Sequence, residues 1–181
     1  ILPNFTFSKK LELNENYNGS FQFKSSGFQK NYDTNKYESL LINDFLFDSN
    51  DYVNNKGFIT NYDLLIKNFN SYTENSTSYK NKEDYEVFGA FLIKTSLPLK
   101  RFEDNRNDYL KPIISFRYSP NNTKNISNKD LRLSYDNIFA LNRIGTNEIV
   151  EGGKSLSLGV EYENRNKHNV KLFSLSLANS I

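Results

Sequence analysis

Hydrophobic and polar residues alternate along this chain in short runs, most strictly within residues 131–162. Leu131, Leu133 and Tyr135 take turns with Arg132, Ser134 and Asp136. Further on, Leu156, Leu158, Val160 and Tyr162 take turns with Ser155, Ser157, Gly159 and Glu161. Successive side chains of a strand point to opposite faces, so each run predicts a strand with one apolar and one polar face. Residues 140–153, polar and containing glycine, predict the connector between them.

Weaker versions of the same unit fill the chain. Phe5 and Phe7, then Phe21 and Phe23, predict a hairpin around the Asn- and Gly-rich residues 14–19. Residues 27–35 read as polar and turn-prone. Residues 37–47 are ambiguous, because Leu40, Leu41 and Ile42 put apolar groups on both faces. Phe58, Thr60, Tyr62, Leu64 and Ile66 share a face opposite Asn61, Asp63 and Lys67, and residues 69–84 read as a long polar loop. Val87, Gly89, Phe91, Ile93 and Leu97 then oppose Phe88, Ala90, Leu92 and Lys94, up to Pro98, which cannot donate to a ladder. After a charged connector at 100–108, Leu110, Ile114, Phe116 and Tyr118 oppose Lys111, Ser115 and Arg117. An Asn-rich loop, 121–130, follows. Phe173, Leu175 and Leu177 close the series after a turn at 164–169. The expectation is all-β: an antiparallel up-and-down meander of roughly nine strands, with no sustained helical period.

Composition turns this pattern toward a wall rather than a globule. Hydrophobic residues are 37% of the 181, yet aromatics reach 15%, all Tyr and Phe. The net charge of +2 comes from interspersed signs, with no basic stripe for a nucleic acid. There is no Cys, hence no disulfide and no thiolate metal site. No apolar run approaches the roughly 18 residues of a spanning helix, but a membrane barrel needs only about ten alternating residues per strand. Tyr17, Tyr37, Tyr109, Tyr118 and Tyr162 recur near strand ends, where such barrels carry aromatic girdles.

One ordered series of residues goes beyond pattern. Residues 112–120, Pro-Ile-Ile-Ser-Phe-Arg-Tyr-Ser-Pro, precede Tyr135-Asp136-Asn137-Ile138-Phe139, then Asn142-Arg143-Ile144-Gly145, Glu151-Gly152 and Gly159-Val160-Glu161-Tyr162. Ser96-Leu97-Pro98-Leu99 and the 29–38 segment fit the same order. The chain resembles the barrel domain of the LptD family of lipopolysaccharide-assembly proteins, also called organic solvent tolerance proteins. The resemblance implies a transmembrane β-barrel in the outer membrane of a Gram-negative bacterium, and residues 1–181 read as an internal piece of that barrel, truncated at both ends. It implies insertion of lipopolysaccharide into the outer leaflet, with no enzymatic reaction and no cofactor. It also implies a plug lipoprotein of the LptE type and a periplasmic Lpt bridge as partners. The family's cysteines and its periplasmic jellyroll have no counterpart here, and no lateral-gate residue can be transferred.

On that basis Leu156, Leu158, Val160 and Tyr162 are expected to face lipid, and Ser155, Ser157 and Glu161 water. Lys94, Lys111, Arg117 and Arg132 are the candidate lumenal cations, suited to phosphate groups. Asp136, Asn137, Asn142 and Arg143 form the polar cluster most like the family's, either a lumenal network or simply strand-end and turn residues. His168 reads as a solvated turn residue, with neither nucleophile nor metal companions. Simple parity puts the 69–84 loop and the 164–169 turn at the same end, an unlike pairing that leaves orientation open. A different outer-membrane barrel, a pore or an adhesin, is the first alternative; a soluble extracellular β-sandwich is the second.

Overall fold

The computed structural model describes residues 4–12, 18–121, 132–143 and 148–181. Among these residues ten strands form one antiparallel sheet. Eight follow one another as neighbours: β1 (Asn4–Glu12), β2 (Gly19–Tyr32), β3 (Lys36–Ser49), β5 (Ile59–Glu74), β6 (Glu83–Ser96), β8 (Arg106–Ser119), β9 (Gly153–Asn166) and β10 (Lys171–Ser180). Two short strands, β4 (Tyr52–Val53) and β7 (Leu99–Glu103), extend β5 and β8 at one end. Residues 132–136 are not a strand, so eight of the nine expected strands form, and these two bring the number among the described residues to ten. The described strands leave β1 and β10 as free edges, so the sheet is not closed.

Most spanning strands run to 14 residues or more, well past the five or six usual in soluble sheets. Several are longer than apolar alternation indicates. β2 continues through 27–32, β5 through 69–74, and the charged residues 100–108 pair as the β7–β8 hairpin. The turns are made by asparagines, since Asn35, Asn75 and Asn169 hold positive φ angles of 55°, 52° and 63°. Asn reaches this left-handed region more readily than other residues with a β-carbon.

Pro98 ends β6 as its missing N–H requires. Pro112, on β8, lacks a donor at the same level, where β6 has left the ladder and β7 has not begun. Leu97 N–H bridges the gap to the Pro112 carbonyl at 3.1 Å. Beyond this break the β7–β8 ribbon is charged: Glu103 takes Arg101 at 2.6 Å and Arg106 at 2.7 Å. Lys100 lies over Phe102, 4.1 Å from the ring centroid.

The strand directions place the connections 33–35, 75–82 and 120–152 at one end, here the long-loop end. Connections 50–58, 97–105 and 167–170 lie at the other. The 75–82 loop and the 167–170 turn are therefore at opposite ends, not the same end. Parity along the sequence differs by one step because residues 132–136, which alternate like a strand, form turns.

The two faces differ sharply. The inner face carries the core: Leu40, Ile42, Leu65, Phe69, Phe88, Ala90 and Leu92. The outer face leaves large apolar groups exposed, among them Leu64, Ile66, Val87, Ile93, Ile114, Phe116, Leu156, Leu158, Leu175 and Leu177. Among the described residues there is no helix, and so none long and apolar enough to cross a membrane.

Candidate functional site

What covers the inner face is the connection between β8 and β9. Its residues 132–143 are not a strand. Ile138 N–H donates to the Ser134 carbonyl at 3.0 Å and Ala140 N–H to that of Asn137 at 2.9 Å, which makes successive turns. The Asn137 side chain locks them, accepting from Ser134 N–H at 2.8 Å and donating to the Arg132 carbonyl at 3.0 Å. A local side-chain bond of this kind competes with a ladder, and the 131–136 alternation yields to it. Leu131 itself, with Ile144, Gly145, Tyr17 and loop residues 122–130, lies outside the described residues.

Ile138, Leu141, Ile149 and Val150 of this inserted segment are buried, the last three packing into the core cluster of the inner face. Burying four such side chains contributes several kcal/mol toward holding the segment in place. Polar ties add direction. Arg117, 2% exposed, donates through Nε to the Leu141 carbonyl at 2.6 Å and through Nη2 to the Glu151 carbonyl. Arg143 and Glu151 form a bidentate pair at 2.7 and 2.5 Å, and Arg143 Nη1 also donates to Ser180 Oγ at 3.0 Å. Ser157 Oγ donates to the Ile138 carbonyl at 3.3 Å.

The segment reaches deep. Tyr135 Oη donates to Glu161 at 2.7 Å, and Lys111 pairs with the same carboxylate at 3.4 Å. Glu161 stands eight residues into β9 from Gly153, about 26 Å along the strand. Burial, with the Glu161 carboxylate beside it, pushes the Tyr135 hydroxyl well above its usual range. Phe139 packs over Gly159, where an added β-carbon would sit 2.5 Å from the ring. That contact gives the glycine of β9 its reason. Nearer the long-loop end, Tyr79 Oη donates to Glu148 at 3.1 Å, and burial raises its hydroxyl also.

Between segment and wall lies a groove of about 290 Å³, lined by Lys94, Lys111, Tyr135, Asp136, Phe139 and Glu161 among others. The expected cations thus divide. Lys94 and Lys111 line this groove from the inner face. Arg117 shares that face but is buried under the segment and bonded to carbonyls, so it is not open to a passing phosphate. Arg132 lies on the inserted segment rather than on the wall. Of the polar cluster, Asp136 and Asn137 sit in the turns, and Arg143 joins the tie to Glu151 and β10; Asn142 is half-buried beside it. Leu156, Leu158, Val160 and Tyr162 are on the outer face, opposite Ser155 and Ser157. Those serines are 6% and 2% exposed, covered by the segment rather than facing water. Tyr37, Tyr118 and Tyr162 are on the outer face near strand ends, whereas Tyr109 pairs with Glu163 on the inner face. His168 is in the exposed 167–168 turn.

Sequence reasoning missed Tyr135, Phe139 and Glu151 as members of the site. The signal for them was the family-like series itself, whose aromatic and acidic members are those that tie segment to wall. Among the described residues no group of His, Cys, Asp or Glu is arranged to hold a metal.

No curated protein matches the chain, whereas the family model of LptD, LPS transport system D, matches it over residues 1–181. That match covers the whole chain, and the chain belongs to the LptD family.

Proposed function

We propose that residues 1–181 are a wall section of an outer-membrane translocon that inserts lipopolysaccharide into the outer leaflet. The supporting observation is the division of β9: Leu156 and Leu158 are 39% and 48% exposed on one face, and Ser155 and Ser157 are buried on the other. A soluble sandwich buries the apolar faces of its sheets; on β9 the apolar face is the open one. In this reading the outer face meets lipid and the inner face bounds the lumen, with the long-loop end toward the cell exterior, since outer-membrane barrels carry longer loops there. Lys94 and Lys111 are the wall cations placed to meet lipopolysaccharide phosphates. Asp136, Asn137, Asn142 and Arg143 shape the segment that narrows the path. A plug lipoprotein and a periplasmic bridge are the partners this reading calls for, and its role is transport rather than catalysis.

Single cysteines at 154–162 of the full-length protein in outer membranes test it. Leu156→Cys, Leu158→Cys and Val160→Cys are expected to report a lipid environment and to resist a water-soluble thiol reagent. Shielding of these positions from both water and lipid would instead mark a protein-packed sheet and overturn the membrane assignment. A pore or adhesin shares the lipid-facing result but gives no crosslink to lipopolysaccharide from Lys94 or Lys111.

A further inference from the structure

The outer face of β8 and β9 is apolar between two polar rows. Tyr118 pairs across the ladder with Lys154 toward the long-loop end, and Asp108 with Asn164 toward the other. Between these rows the outer positions are Leu110, Pro112, Ile114 and Phe116 on β8, and Leu156, Leu158, Val160 and Tyr162 on β9. Tyr118 and Asp108 stand ten residues apart on one strand. That is about 33 Å along it and, at a tilt of roughly 40°, about 25 Å across, the height of a barrel's apolar band. Asp108 therefore stands at the boundary of the band. Tyr162, one rung inside, donates its hydroxyl to Asp108 at 2.8 Å.

The β7–β8 ribbon carries the same face past this boundary. Its outward pairs are Leu99 with Leu110, then Arg101 with Asp108, then Glu103 with Arg106. Glu103 holds the two arginines side by side, Oε1 2.6 Å from Arg101 Nη2 and Oε2 2.7 Å from Arg106 Nε. A guanidinium has five N–H donors, and the Nη1 and Nη2 groups of Arg106 have no protein acceptor among the described residues. The side chains of Arg101 and Arg106 are 72% and 53% exposed.

Two adjoining hollows meet at Arg106. One, of about 440 Å³, is lined by Leu99, Leu110 and Tyr162 from the band and by Lys100, Arg101, Arg106 and Asp108 beyond it. The other, of about 580 Å³, is lined by Glu103, Asp104, Asn105 and Arg106 at the tip of the ribbon. From the band outward the wall thus offers apolar groups, then guanidinium donors, then carboxylates. A phospholipid with an ethanolamine headgroup presents acyl chains, phosphate and a primary ammonium in the same order. Lys100, Arg101 and Arg106 balance Glu103, Asp104 and Asp108, so the ribbon has no net charge with which to gather anions. What it complements is a zwitterion. Guanidinium forks suit a phosphate, and a primary ammonium, unlike a quaternary one, donates hydrogen bonds to carboxylates.

We infer that the outer side of the β7–β8 ribbon binds the headgroup of an ethanolamine phospholipid in the leaflet at the short-loop end. Arg101 and Arg106 take its phosphate, and Glu103 and Asp104 its ammonium. The inference rests on the reading of the outer face as lipid-facing and adds to it one lipid fixed at one place on the wall.

The test uses the full-length protein reconstituted in phosphatidylcholine vesicles with phosphatidylethanolamine and phosphatidylglycerol as equal minor components. The photo-crosslinking residue p-benzoylphenylalanine replaces Leu99, beside the arginines, or separately Leu158, in the middle of the band, and mass spectrometry identifies the captured lipid. At Leu99, phosphatidylethanolamine is expected roughly fivefold above its bulk share, the worth of about one hydrogen bond. At Leu158 the lipids should follow their bulk shares. Arg106→Gln should remove the enrichment at Leu99. Asp104→Asn, confined to the turn of the ribbon, should remove the preference over phosphatidylcholine, and it carries the test if the arginine variant does not assemble. Bulk shares at Leu99, enrichment of phosphatidylglycerol instead, or enrichment that survives either substitution overturns the inference and leaves the arginines an ion-pair tie. Absence of any lipid crosslink at Leu158 removes the lipid-facing reading itself.

Discussion

Arg117 on β8 and Leu141 in the inserted segment are joined by a 2.6 Å bond from guanidinium Nε to main-chain carbonyl, buried on the inner face. One cation therefore ties the wall to a loop 24 residues further along the chain. Removing it strands the carbonyls of Leu141 and Glu151. Arg117→Ala is expected to cost about 2–6 kcal/mol, since each of the two buried carbonyls left without a partner costs about 1–3. Arg117→Lys, a single point donor in place of a fork, should recover only part. Hydrogen exchange across 134–143 reads the release of the segment.

The same tie controls access to the inner face. Ser157→Cys is expected to be unreactive toward a water-soluble maleimide in the otherwise native wall, where Ser157 is 2% exposed. Combined with Arg117→Ala it should become reactive. A fast reaction in both backgrounds would show that the segment does not cover β9.

On the opposite face, Leu158→Arg is expected to cost about 2–4 kcal/mol near the bilayer midplane. A charge at Lys111, on the wall of the groove, should be tolerated as either Lys or Arg. Unfolding titrations in lipid vesicles compare the two, and equal tolerance would contradict the lipid-facing assignment of β9.

Gly159 tests the packing beneath Phe139. Gly159→Ala puts a β-carbon 2.5 Å from the Phe139 ring and 3.0 Å from the Leu177 carbonyl. Overpacking of this kind costs about 1–3 kcal/mol. Pairing it with Phe139→Leu should restore part of the loss, as a double-mutant cycle reports.

Arg143 and Glu151 form a second cycle. Their side chains are 8% and 22% exposed, and the paired changes Arg143→Gln and Glu151→Gln are expected to couple by about 0.5–3 kcal/mol. A coupling near zero would leave the hold on the segment to its apolar residues and to the Arg117 and Ser157 bonds.

The sequence made the strand class legible wherever one face was apolar: β6, β8, β9 and β10 appear with the alternation that predicts them. It hid strand ends whose outward positions are polar. Asn68, Asn70 and Tyr72 look like a loop when outer positions are expected to be apolar, yet they continue β5. It misled at 131–136, where Leu, Leu and Tyr alternate perfectly but Asn137 closes a turn on the backbone. Lys94 and Lys111 were placed on their face by period alone. Burial of Arg117 could not be read from it, because the residues that cover Arg117 come from a distant loop.

The β7–β8 ribbon has a consequence for how the wall sits. It continues the apolar sheet without a loop, and its charges begin within two residues of Pro98, at Lys100 and Arg101. In a bilayer it would act as a keel. Lowering the wall past its resting depth leaves Lys100, Arg101 and Arg106 in water, whereas lifting it draws them toward hydrocarbon, at a cost rising toward about 2–4 kcal/mol per cation at the midplane. Vertical drift is thus resisted in one direction by side chains at the very end of the wall.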